Sequence, residues 1–155
     1  MALVLLWFAT AAVIPRWWGQ RVANVVDSSL TVGALYGLFI GFVFTVAPLL
    51  LLLVVIRWRT SDRTWLGWLG WIILVLLLAA PNLMTLSIVL SNNGAAKAGR
   101  TALDADGPGF RLWSLIGATL GGLAVFGMMY LVRSRQASRR RAAALRDELR
   151  SREQN

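Results

Sequence analysis

Among the side chains that most often carry acid–base, nucleophilic or metal chemistry, the 155-residue chain has no His, no Cys, a single Lys (Lys97) and seven carboxylates. Ser–His and Cys–His nucleophiles and zinc sites therefore have no parts to be built from, and no GxxxxGK[ST] phosphate loop occurs. Ser–Lys chemistry would depend on Lys97, which lies in a turn-rich stretch with no matching serine in an ordered element. Asp104 and Asp106 are two residues apart, but a pair of carboxylates without a wider oxygen-ligand array reads as a solvated turn before a cation site. The remaining chemistry is neutral. Asn82 follows Pro81 and precedes Thr85 and Ser87 inside a long apolar stretch, and Thr45 and Pro48 lie in another. An amide in such a stretch needs a protein partner or a water-filled cavity. Thr45, Pro48, Pro81, Asn82 and Thr85 are thus expected either to line a small polar pocket or to form an interhelical hydrogen bond beside a proline kink. The chain is expected to be no enzyme and to need neither metal nor cofactor.

The elements that must position these residues follow from where charge is missing. No Asp, Glu, Lys or Arg lies between Met1 and Arg16, Asp27 and Arg57, Arg63 and Lys97, or Arg111 and Arg133. A bilayer core of roughly 30 Å needs about 20 apolar helical residues. Spans are expected at about 1–15, 30–56, 65–90 and 111–132. The first is short, and Ala9-Thr10-Ala11 resembles a small-x-small cleavage site, but the lack of a basic start favours a retained span. The fold class is therefore all-α: a four-helix transmembrane bundle over residues 1–132, followed by a basic tail over 133–155 that favours helix. Residues 16–29 read as an amphipathic interfacial segment, and 91–110 as a polar outer loop in which 95–105 has helical character.

Charge sets the expected orientation. With both termini inside, eleven Arg fall on the inner side, against five Lys or Arg on the outer side. The formal net charge of +9 then divides into +7 inside and +2 outside, which makes anionic lipid a better partner than nucleic acid. Arg133, Arg135, Arg139, Arg140 and Arg141 would meet lipid headgroups. Trp17, Trp18 and Trp113 are expected to anchor the outer boundary, and Trp58, Trp65 and Trp68 the inner one. The expected location is the inner, plasma membrane of the cell, crossed several times.

Small residues mark where helices can approach, since apolar side chains gain little from one another in lipid. The second span carries Gly33, Gly37, Gly41 and Thr45 at four-residue intervals, and the last carries Ser114, Gly117, Ala118 and Gly121. These two helices run in the same direction in the expected topology, so a close crossing is predicted, with Gly37 and Gly121 as the pair to crosslink.

Three segments, Trp17-Trp18-Gly19-Gln20-Arg21-Val22, Asp27-Ser28-Ser29-Leu30-Thr31 and Ala80-Pro81-Asn82-Leu83, resemble a group of small actinobacterial multi-pass membrane proteins automatically labelled permease. The resemblance covers most of the chain before the basic tail and implies a membrane fold without a mechanism. An ion-coupled transporter normally has a charged group within the membrane, and no Asp, Glu, Lys or Arg lies in the interior of the four spans. The expectation is therefore an accessory or scaffolding subunit that contacts other membrane proteins or copies of itself. The alternative is a small permease or channel component with its pocket around Asn82.

Overall fold

The computed structural model describes the backbone of residues 2–57 and 65–153, and side chains over 13–57, at 65, and over 67–136. The described residues form five helices and no strand: α1 (Ala2–Val26), α2 (Leu30–Arg57), α3 (Trp65–Leu90), α4 (Gly94–Asp106) and α5 (Phe110–Glu153). Three segments are long and apolar enough to cross a membrane: Leu30–Arg57, Gly67–Leu90 and Phe110–Gln136. Their bounds follow the charge-free blocks because nothing within a block interrupts the helical hydrogen-bond ladder except Pro48 and Pro81, and both prolines are carried inside continuous helix.

The amino-terminal region differs from the expected arrangement. Residues 16–26 are not a separate interfacial helix but the continuation of α1, which carries Pro15 in its interior. The helix stops where Asp27 and Ser28 take positive φ values of 47° and 58°. This left-handed pair is held from outside the turn: the Ser28 N–H donates to the Asp106 carbonyl at 2.9 Å and its hydroxyl to Asp106 Oδ1 at 3.3 Å. Ser29 then begins α2, its Oγ accepting from the Val32 N–H at 3.4 Å, which occupies one of the free donors of a helix start.

α4 coincides with the stretch of helical character expected at 95–105 within the polar loop. Asn93 caps it, accepting the Ala96 N–H at 2.7 Å, and the Gly107 N–H closes its other end on the Leu103 carbonyl at 3.1 Å. Its Ala96, Gly99 and Leu103 are buried, an i, i+3, i+7 stripe. That stripe packs on α1. A Cβ at Gly19 would lie 2.8 Å from Gly99 Cα, and one at Gly99 would lie 2.6 Å from the Pro15 carbonyl oxygen. Two facing glycines therefore let the helix backbones touch. Val22 and Val26, on the apolar side of the segment expected to be amphipathic, join Ile40, Ile88, Leu103 and Phe110 in one buried cluster. The burial of this one cluster ties together residues from all five helices.

The chain divides into two units, Met1–Gly122 and Leu123–Asn155. The second is helical through Glu153, with Leu123, Phe126, Met128, Tyr130 and Leu131 exposed. The helix runs on through the change from apolar to arginine-rich sequence at which a boundary is expected, 132.

Candidate functional site

The functional candidates concentrate where α2, α3 and the first turns of α5 meet. α2 and α5 run in the same direction with small residues between them. A Cβ on Gly33 would fall on the Pro108 carbonyl, one on Gly41 on the Ser114 carbonyl, and one on Gly117 on the Leu38 carbonyl. A Cβ on Gly37 would lie 2.5 Å from the Phe110 carbonyl oxygen. Gly121 faces Phe42, Thr45 and Val46. These five glycines thus lie along a single contact, but Gly37 and Gly121 do not pair. Gly37 sits at the level of Phe110 and Ser114, and the register places Gly121 against Thr45. Counting depth from the nearest charged residue misses this offset, because it is set by the turns at 27–29 and 107–109, the latter with Gly109 at φ 81°.

Asn82 reaches from α3 into this contact. Its Nδ2 donates to Thr45 Oγ1 at 2.7 Å and to the Gly41 carbonyl at 3.1 Å, and the Thr45 hydroxyl donates to the same carbonyl at 2.7 Å. The glycine that lets α5 approach thus also offers its carbonyl to α3. One turn away, the Thr85 hydroxyl donates to the Pro81 carbonyl at 3.0 Å and accepts the Trp18 indole N–H at 3.0 Å. Such bonds are worth about 1 kcal/mol each in an apolar surrounding.

A cavity of about 770 Å³ opens beside this junction. Its inner lining includes Thr45, Asn82, Thr85, Ser114 and Ala118, and its opposite end includes Asp104 and Arg111. Thr45, Asn82 and Thr85 therefore line one space whose other walls are largely apolar, and Asn82 and Thr45 are joined by the interhelical hydrogen bond expected as the alternative. The two prolines do not line it: Pro48 is buried elsewhere along α2, and Pro81 contributes through its carbonyl alone. Sequence reasoning missed Ser114 and Arg111 as lining residues. Ser114 was visible only as a small packing residue, and Arg111 only as an outer charge. At the cavity's α4 end, Arg111 Nη1 contacts Asp104 Oδ1 at 2.6 Å, so Asp104 is an ion-pair partner and Asp106 a turn partner of Ser28. Among the described residues no group of three or more Asp and Glu side chains is arranged to hold a metal ion.

The tryptophans divide. Trp17 is exposed, with the Arg21 guanidinium 5.7 Å from its ring centre, and Trp65 and Trp113 are also exposed. Trp18 is turned inward to Thr85 rather than outward as an anchor, and Trp68 is half-buried. Trp58 lies outside the described residues. Arg133 and Arg135 are exposed on the helix surface, while the side chains of Arg139, Arg140 and Arg141 lie outside those described.

Comparisons with protein-family models, with curated proteins and with solved structures give no match.

Proposed function

We propose that the chain is a non-enzymatic, multi-pass protein of the cell membrane, with both termini inside, that acts as an accessory or scaffolding subunit of a membrane complex. One observation carries this reading. Two polar pairs, Asn82–Thr45 and Trp18–Thr85, join helices, while the outward faces remain broad and apolar. Leu35 and Phe39 on α2, Leu76 and Leu77 on α3, and Leu112 and Leu115 on α5 are all more than half exposed. Such faces suit lipid and the helices of partner proteins or further copies. The arginine excess of the inner connections and tail supports the orientation and an anionic lipid surface beneath the protein.

The direct test is isolation of the full chain from native membranes in mild detergent, followed by mass spectrometry and reconstitution into liposomes. This reading expects recurrent co-purification with larger membrane proteins and no solute flux. A chain that isolates alone and supports saturable flux would overturn it. That outcome would favour a small permease or channel component, a second reading supported by the cavity at Asn82 and by the sequence resemblance. Against it stands the Asn82–Thr45–Gly41 hydrogen-bonded junction beside the cavity, which ties α3 to α2 where a path between those helices would pass.

A further inference from the structure

Each end of α4 carries a dipeptide in which the backbone can attack a side chain. Asn93-Gly94 starts the helix and Asp106-Gly107 ends it. In both, a carboxamide or carboxyl carbon is followed by the nitrogen of a residue without Cβ, the unhindered arrangement from which a five-membered succinimide closes. Asn24 precedes Val25, Asn82 precedes Leu83 and Asn92 precedes Asn93, so a larger neighbour hinders closure at each of those amides.

The two ends are held differently. At the carboxyl end Gly107 is buried, and its N–H is engaged with the Leu103 carbonyl at 3.1 Å. Asp106 is clamped by Ser28, whose N–H donates to its carbonyl at 2.9 Å and whose hydroxyl donates to its Oδ1 at 3.3 Å. At the amino end Gly94 is the first helical residue, so its N–H is one of those a helix leaves without an intrahelical acceptor. Asn93 and Gly94 are both exposed, and a Cβ at Gly94 would meet nothing within 4 Å. Only the cap opposes closure there: Asn93 Oδ1 accepts the Ala96 N–H at 2.7 Å, and ring formation must move Asn93 ψ from its extended value of 165°.

We propose that Asn93 is a site of spontaneous deamidation in the folded chain, and that Asp106, despite its following glycine, is protected from the matching isomerisation. The Gly94 nitrogen gives up its proton and bonds to Asn93 Cγ, while the Cγ–Nδ2 bond breaks and that nitrogen leaves as ammonia. Water then opens the ring at either carbonyl, leaving aspartate or isoaspartate at position 93. Aspartate keeps the cap, because its carboxylate accepts the same N–H at the positive end of the helix. Isoaspartate adds a methylene to the backbone just before α4 and loses the cap. The modification thus loosens, in a fraction of chains, the helix whose Gly99 packs on Pro15 and Gly19 of α1. None of this depends on the accessory role.

The test incubates the full chain in mixed micelles of mildly alkaline pH in heavy-oxygen water, beside synthetic peptides of residues 89–99 and 101–111. Ring opening writes heavy oxygen into the product, so mass spectrometry after proteolysis reads both sites. Asn93 is expected to convert about fivefold more slowly than in its peptide, the factor a cap of ordinary strength sets. Asp106 is expected to take up label at least about a hundredfold more slowly than in its peptide, because three hydrogen bonds must open first. Gly94→Ala, for which there is open space, should abolish measurable conversion of Asn93 over the same period. Absence of conversion at Asn93 while its peptide converts, equal retardation at the two sites, or conversion unchanged by Gly94→Ala would each overturn the proposal.

Discussion

The glycines between α2 and α5 allow a graded perturbation whose size can be read from the contacts. A Cβ at Gly37 would stand 2.5 Å from the Phe110 carbonyl oxygen and 3.0 Å from the Ser114 nitrogen, both backbone atoms with no rotamer to change. Reaching ordinary contact at 3.4 Å requires α2 and α5 to separate by about 0.9 Å. At Gly121 the nearest atom is the Phe42 carbonyl oxygen at 3.0 Å, a shortfall of about 0.4 Å, and at Gly122 nothing lies within 4 Å. Overpacking of this kind costs about 1–3 kcal/mol, against a gain of up to about 1 kcal/mol from replacing a helical Gly by Ala. Gly37→Ala is therefore expected to lose about 1–2 kcal/mol, Gly121→Ala to be close to neutral, and Gly122→Ala to be neutral or slightly stabilising. Gly41→Ala, whose Cβ would meet the Ser114 carbonyl head-on, should be the worst of the four. Unfolding of each variant in mixed micelles, followed by tryptophan emission, gives the order directly. Equal losses at Gly122 and Gly37 would refute the reasoning, because those two positions differ in contact and not in residue type.

Trp18→Phe keeps most of the ring but removes the donor to Thr85, and is expected to destabilise by about 1 kcal/mol in the same assay. Thr85→Val in the same background should cost less than in the wild type, because the indole bond is already gone and only the hydroxyl's bond to the Pro81 carbonyl is lost. Asn93→Ala removes the cap of α4 and is expected to cost about 1 kcal/mol, seen as faster amide exchange over 94–97 while α2 and α3 are unchanged.

The sequence made the long helices legible because an uncharged apolar block has few alternatives: 30–56, 65–90 and the start of the helix at 111 agree with α2, α3 and α5 to within a residue. Asn82 was likewise visible as a polar group that had to find a partner. What was not legible is which surface a helix uses. Val22 and Val26 form an apolar stripe that fits lipid as well as protein, and only the pairing of Gly19 with Gly99 turns it inward. Trp18 carries the residue type of an interface anchor, yet its N–H finds Thr85, a bond that depends on where α1 lies against α3. Register between α2 and α5 was equally hidden, because it rests on two left-handed residues at 27–28 and on the turn through Gly109, not on the stripes themselves.

The central claim is that small and polar residues inside the apolar helices hold this chain's own helices in one register. A Cβ at Gly121 lies 3.3 Å from Thr45 Cβ, close to the separation of about 3.5–4.5 Å between the Cβ atoms of a disulfide. The chain has no native cysteine, so a double variant can be read without background. Mild oxidation of Thr45→Cys/Gly121→Cys in isolated native membranes, read on a non-reducing gel, is predicted to give a disulfide within one chain, while Gly37→Cys/Gly121→Cys gives none. A disulfide in the second pair and not the first, or crosslinks formed only between two chains, would contradict the account.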